Sequence, residues 1–232
     1  MASDTISSAA ERNWFVTQRW QEYDAEGRSN LLRILGVGLF YIVHLWSYAG
    51  SRGWLPLPGI LQLAGQAEID QRFHIAVTLL AVAWSMLALG ILLCLQQQVF
   101  PRWLPYLSTS FDVVLLTAMI CLGAAARSPL VVGYFLILIL ATLRMNLWLV
   151  RFTAAACGLA YLCVLGCSKW PATFGLEQFG RTATDFHVPR YQQAITLLAF
   201  LLASVTLGQI VRRVRSLVED AFESSEHAEA DT

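Results

Sequence analysis

Residues 73–95 read FHIAVTLLAVAWSMLALGILLCL, a stretch without a single Asp, Glu, Lys or Arg. As helix, at ~1.5 Å per residue, it is long enough to cross a ~30 Å hydrocarbon core. A sheet is excluded, because open sheet edges leave backbone polar groups unsatisfied in lipid. The same apolar pattern recurs on both sides, at Leu31–Ala49, Leu104–Ala125, Pro129–Leu147, Val150–Cys167 and Tyr191–Val211. Together with Phe73–Leu95 these make six expected spans, and the fold class is an all-α, polytopic six-helix transmembrane bundle.

Composition supports this reading. Of 232 residues, 56% are hydrophobic and 14% are charged, against ~25% charged in soluble domains. A soluble enzyme or a disordered chain does not have this balance. The formal net charge of zero gives no electrostatic footprint for nucleic acid. The five cysteines lie in or beside apolar segments without a CxxC pair, and are expected to be small buried hydrophobes.

Three regions follow from the pattern. Residues 1–30 form an N-terminal segment. Trp14, Phe15, Trp20 and Tyr23 stand there among charges, which suits a helix at the membrane interface. No small-residue cleavage site follows the first apolar run, so this segment is expected to be retained. Residues 31–211 form the membrane domain. Residues 212–232 form a helical extension with an acidic end. Pro129 opens the fourth span where its missing N–H costs nothing, and the short turn between the fourth and fifth spans makes a helical hairpin.

With both termini placed in the cytoplasm, ten basic residues fall inside and six outside. Arg212, Arg213 and Arg215, directly after the last span, add to the bias. The expected location is therefore a bacterial inner membrane, multi-pass, with both termini cytoplasmic.

Few polar residues lie within the spans. Asp112, about two turns into the third, is the one carboxylate well inside an expected span. A charge at that depth costs at least ~2.5–3.5 kcal/mol on insertion scales, so it faces a bundle interior or a partner. Arg144, at the inner end of the fourth span, is its expected partner because its long side chain can snorkel. His44, His74 and His187 fall toward the outer face. They are candidate haem ligands or a pH-responsive group, although His44 and His74 are expected to differ in depth by about 9 Å at ~1.5 Å per residue. Tyr41, Trp46, Tyr48, Trp54 and Trp170 cluster outward as an aromatic belt or as the lining of a ligand pocket. Gly36 and Gly38, with the Gly and Ala residues at 154–160, are expected to let helices approach closely. Ile210, Val214 and Leu217 continue a short heptad-like stripe beyond the last span and are the expected coupling helix. Phosphate-loop, nucleophile-elbow and zinc motifs are absent from the sequence, so no catalytic residue is expected and the chain does not read as an enzyme.

One stretch resembles a known family. It runs Asp112, Leu115-Leu116-Thr117, Gly123, Ser128-Pro129-Leu130, Tyr134-Phe135-Leu136 and Leu143-Arg144. It is similar to the six-span input domains that precede bacterial sensor histidine kinases of the pilus-regulating type and class III adenylate cyclases. Gly208–Arg215 resembles the helix leading from such a domain to its output domain. The resemblance covers about 30 residues well, and the six-span layout loosely. It implies a sensor or regulatory module that passes a signal from the membrane or outer face to the cytoplasm through its last helix. It also implies a homodimer, or a cytoplasmic kinase- or cyclase-type output protein, as partner beside the lipid bilayer. Unlike the proteins it resembles, this sequence shows no kinase or cyclase domain after the sixth span, so a separate protein or a longer parent chain is expected to supply the activity. Two alternatives stand beside this reading. One is a haem-binding or redox membrane anchor using the outer histidines; the other is a small transporter centred on Asp112. No cofactor is otherwise expected.

Overall fold

The computed structural model describes the backbone of residues 2–53, 71–97, 101, 103–123, 128–170 and 189–230, and their side chains except at 2–22, 51, 215 and 218–230. Among the described residues six α-helices follow one another: α1 (Ala2–Ser51), α2 (Gln71–Gln96), α3 (Leu104–Leu122), α4 (Gly133–Leu143), α5 (Leu147–Lys169) and α6 (Arg190–Ala230). A 3-10 turn, Pro129–Val132, leads into α4. There is no strand among the described residues.

Among the described residues five helical segments are long and apolar enough to cross a membrane: Tyr23–Gly50, Gln71–Gln96, Leu104–Leu122, Leu147–Lys169 and Arg190–Val214. The fourth expected span is shorter. Pro129–Leu143 reaches only about 24 Å at the ~2.0 Å and ~1.5 Å rises of its 3-10 and α portions. It ends four residues before the expected boundary because Arg144 turns back into the bundle rather than continuing the helix. The first segment begins eight residues earlier than the apolar run suggests. Residues 26–33 are helical and carry buried polar side chains, so α1 enters the bundle from Tyr23 onward.

Local chemistry sets the α4–α5 hairpin. Ser128 caps the 3-10 turn by accepting from the Leu130 amide, and Pro129 follows at the first turn. Met145, at φ 50°, reverses the chain. Asn146 then caps α5, its Oδ1 accepting from the Trp148 and Leu149 amides.

The core lies among α3, α4, α5 and α6. Ile120, Tyr134, Leu138, Cys157, Tyr161, Val164 and Phe200 are buried together there. On α3 the buried positions Leu104, Ser108, Asp112, Leu116 and Ile120 recur every four residues, one face of a helix. In lipid this packing gains dispersion rather than expulsion of water, so close fit carries the stability. Gly133 is where that fit is tightest: a β-carbon there would sit 2.9 Å from Leu116 Cδ2. The glycines expected to permit close approach behave differently. Gly36, Gly38 and Gly158 have open space where a β-carbon would lie.

α6 runs without a break from its apolar portion to Ala230. Ile210 and Leu217 are exposed and Val214 half-buried. Of the cysteines, Cys157 and Cys167 are buried and Cys163 is exposed; all five are free.

Candidate functional site

Glu26, Ser29, Asn30 and Arg33 follow one another on α1 at spacings that place them on a single face. All four are buried. Their burial requires partners, because an unpaired charge in an apolar interior costs several kcal/mol.

Arg33 finds Asp112 on α3. Nε donates to Oδ1 at 2.7 Å and to Oδ2 at 3.0 Å, and Nη2 donates to Oδ2 at 2.8 Å. A third helix completes the pair: Trp84 Nε1 on α2 donates to Asp112 Oδ1 at 2.7 Å. Arg33 Nη1 donates to Asn30 Oδ1 at 2.8 Å, and Asn30 Nδ2 donates to the Ala88 carbonyl of α2 at 3.0 Å. Asp112 is therefore held from α1 and α2 at once.

Arg144 is not the partner of Asp112. Its Nε lies 2.7 Å from Glu26 Oε2, and its Nη2 donates to Glu26 Oε1 at 2.8 Å. Nη1 donates to Thr109 Oγ1 at 2.7 Å and to the Pro105 carbonyl at 3.2 Å, and Nη2 also reaches Ser108 Oγ at 3.0 Å. The expectation failed because Arg33 reads as an inner-flank cation and Glu26 as an interfacial carboxylate, whereas α1 carries both inside.

Two stacked ion pairs thus bolt α1 to the rest of the bundle, Glu26–Arg144 nearer its amino end and Arg33–Asp112 two turns further on. Between them Ser29 Oγ is buried with no hydrogen-bond partner.

Past Arg33 the same face of α1 lines a cavity of about 330 Å³ between α1, α2, α3 and α4. Arg33, Asp112 and Trp84 sit at one end, and Tyr41, His44 and Ser47 at the other. The walls are apolar or small: Gly36, Val77, Ala81, Leu116 and Ile137 are among them. Leu32, Phe40 and Val43 of α1 and Leu136 of α4 line the cavity and are also exposed on the outside of the bundle, so its mouth lies between these two helices.

His44 and His74 meet at the Tyr41 end. His44 Nε2 lies 3.1 Å from His74 Nδ1, in hydrogen-bond contact. The expected separation of about 9 Å does not keep the two side chains apart, because antiparallel α1 and α2 are staggered rather than flush at their ends. Tyr48 stacks on His74 at 3.9 Å between centroids, and Tyr41 Oη lies 3.3 Å from Thr78 Oγ1. Two axial ligands of one iron stand about 4 Å apart, twice a ~2.0–2.1 Å metal–nitrogen bond. Here the two rings stack at 5.3 Å and 18° with their nitrogens bonded to each other, and no macrocycle fits between them. Among the described residues no third His, Cys, Asp or Glu joins them. His187 and Trp54 lie outside the described residues. Trp46 is exposed and does not line the cavity. Trp170 is also exposed, with Lys169 Nζ 4.8 Å above its ring.

The far wall of the cavity connects to the last helix. α4 supplies Gly133, Leu136, Ile137 and Leu140 to the cavity. Its Phe135 stacks on Phe200 of α6 at 4.4 Å, and Tyr134 meets the same ring edge-on at 5.9 Å. Phe200 is 3% exposed.

Sequence reading singled out Asp112, Arg144, Tyr41 and His44; Asp112 and Arg144 stand in the two buried ion pairs, and Tyr41 and His44 line the other end of the cavity. It missed Arg33, Glu26, Asn30 and Trp84. The available signal was the spacing of Glu26, Asn30 and Arg33, which continues through Tyr41 and His44 on one face of α1. No protein-family model, no curated protein and no solved structure matches this chain.

Proposed function

We propose that the chain is a membrane sensor or regulatory module. It senses at the cavity between α1, α2, α3 and α4, and its output leaves through α6. The carrying observation is the Arg33–Asp112–Trp84 contact at the end of an apolar cavity. Three helices meet in one buried charge system there, and such a system has few ways to yield. An occupant that fills the cavity or engages Arg33 changes the balance between two packings of α1 against α2 and α3. Only a difference in affinity between those packings can shift them. α4 forms the opposite wall and packs directly on Phe200, so a shift of α4 reaches α6 through the Phe135 and Tyr134 rings on Phe200.

The resemblance to six-span input domains points the same way. Under this reading Pro129–Leu143 is the fourth of six crossings despite its length, and both termini lie in the cytoplasm of a bacterial inner membrane. Ile210, Val214 and Leu217 then present the coupling face, either to a second copy of the chain or to a cytoplasmic output protein. Neither partner is a nucleic acid, and no catalytic step is assigned to the bundle.

Hydrogen exchange over residues 212–230 tests the proposal in reconstituted protein. Asp112→Asn is expected to change exchange there by several-fold, and breaking the stripe with Val214→Ser and Leu217→Ser is expected to abolish that response. Unchanged exchange in a folded Asp112→Asn protein refutes it.

A transport role has one specific observation in its favour. Glu26, Arg33, Tyr41 and His44 run along one face of α1 for about 27 Å, at ~1.5 Å per residue, close to the membrane thickness. Proton-dependent flux in vesicles, lost in Asp112→Asn, would decide for it.

A further inference from the structure

The cavity's lining identifies the class of molecule it takes. We infer that it binds a neutral single-chain amphiphile drawn sideways from the bilayer, with the chain between α1 and α4 and an oxygen acceptor at Arg33. The inference rests on the sensor reading for its consequence, but not for the binding itself.

Three observations carry it. The first is the mouth. Leu32, Phe40, Val43 and Leu136 line the cavity and also face the exterior of the apolar segments. A molecule entering between them comes from hydrocarbon rather than from water. The second is size and polarity. About 330 Å³ falls at the lower end of the ~300–1,000 Å³ range of small-molecule sites. Across the middle of the cavity the lining offers no charged group, so a chain fits and a polar solute does not.

The third is the unfinished hydrogen bonding of Arg33. A guanidinium has five N–H donors. Nε–H is taken by Asp112, one Nη1–H by Asn30 and one Nη2–H by Asp112. Two N–H groups of a side chain that is 2% exposed have no acceptor among the described residues. A buried donor without an acceptor is unfavourable, and an oxygen arriving with the ligand relieves it.

Charge then selects among oxygens. Arg33 and Asp112 together sum to zero. A carboxylate or phosphate would add a net negative charge to an apolar site, and an ammonium a net positive one, each at the cost of desolvation. A hydroxyl or carbonyl oxygen satisfies Arg33 without either.

Photolabelling of the full chain in liposomes tests this directly, with a diazirine-tagged long-chain alcohol as probe. Labelling is read by mass spectrometry on the cavity walls, residues 113–123 and 133–140. Two variants narrow the cavity without disturbing packed atoms. Gly36→Leu enters space with nothing within 4 Å of its β-carbon, and Leu136→Trp changes an exposed residue at the mouth. Wall labelling is expected to fall at least about tenfold in both, which corresponds to 1.4 kcal/mol of affinity. Unlabelled long-chain alcohol is expected to compete at concentrations where the matched alkane, carboxylate and amine do not.

Labelling that neither variant reduces, or that equals labelling of the lipid-facing α6 residues Leu198 and Leu201, overturns the inference. Competition by the carboxylate or alkane as effective as by the alcohol overturns the head-group assignment. Saturable labelling that leaves exchange over 212–230 unchanged upholds the binding site and refutes the sensor reading instead.

Discussion

Asp112 accepts hydrogen bonds from Arg33 and Trp84, and both carboxylate oxygens are occupied. Removing one member of such a pair strands the other charge, which costs about 3–5 kcal/mol. Arg33→Met and Glu26→Gln are each expected to lower stability by about that amount in detergent-solubilised thermal unfolding. The double variant Arg33→Met with Asp112→Leu is expected to recover most of the loss, because the desolvation of both charges disappears with them. Ser29 behaves oppositely. Its buried hydroxyl has no partner, so Ser29→Ala is expected to raise stability by about 1 kcal/mol. At this scale the sequence was half legible. An acidic residue inside an apolar run is visible without a structure, and Asp112 is such a residue. Its partner is not visible. Arg33 stands 79 positions away at the edge of an apolar run, where a basic residue ordinarily marks the membrane boundary.

The helices themselves are legible because hydropathy and length decide them. Five of the six expected spans correspond to long apolar helices. The remaining one is cut short by a turn whose cause is tertiary: Arg144 leaves α4 to reach Glu26 on α1. Hydropathy carries no information about that contact. Nor does it distinguish a glycine that admits a neighbour from one that leaves space. Gly133 admits Leu116, and Gly133→Leu is expected to destabilise the α3–α4 contact by at least about 1–3 kcal/mol through overpacking. Gly166 faces open space, and Gly166→Ala is expected to be neutral or to stabilise α5 by about 0.5–1 kcal/mol through helix propensity. Asn146→Ala removes the cap on the Trp148 and Leu149 amides and is expected to cost about 1 kcal/mol. Unfolding midpoints of the three variants, compared in one detergent, check these signs.

Across the molecule, polar chemistry runs along one face of α1, from Glu26 through Arg33 to His44, while α6 carries the continuation out of the apolar bundle. The cavity separates the two, and α4 touches both. That arrangement is the physical content of the proposed relay, in which a change where α1 meets Asp112 would reach Phe200 through α4. None of it follows from span counting, since neighbours in a bundle are chosen by packing and buried pairs rather than by order along the chain. Pulsed electron–electron distance measurement between spin labels at Arg28 and Ser216, both exposed, reads the relay most directly in liposomes. The distance distribution is expected to differ between the wild-type chain and Asp112→Asn, and the difference is expected to vanish when Phe200→Ala is added to both. A distribution that stays the same in a folded Asp112→Asn protein, or that shifts equally with and without Phe200, would contradict the account.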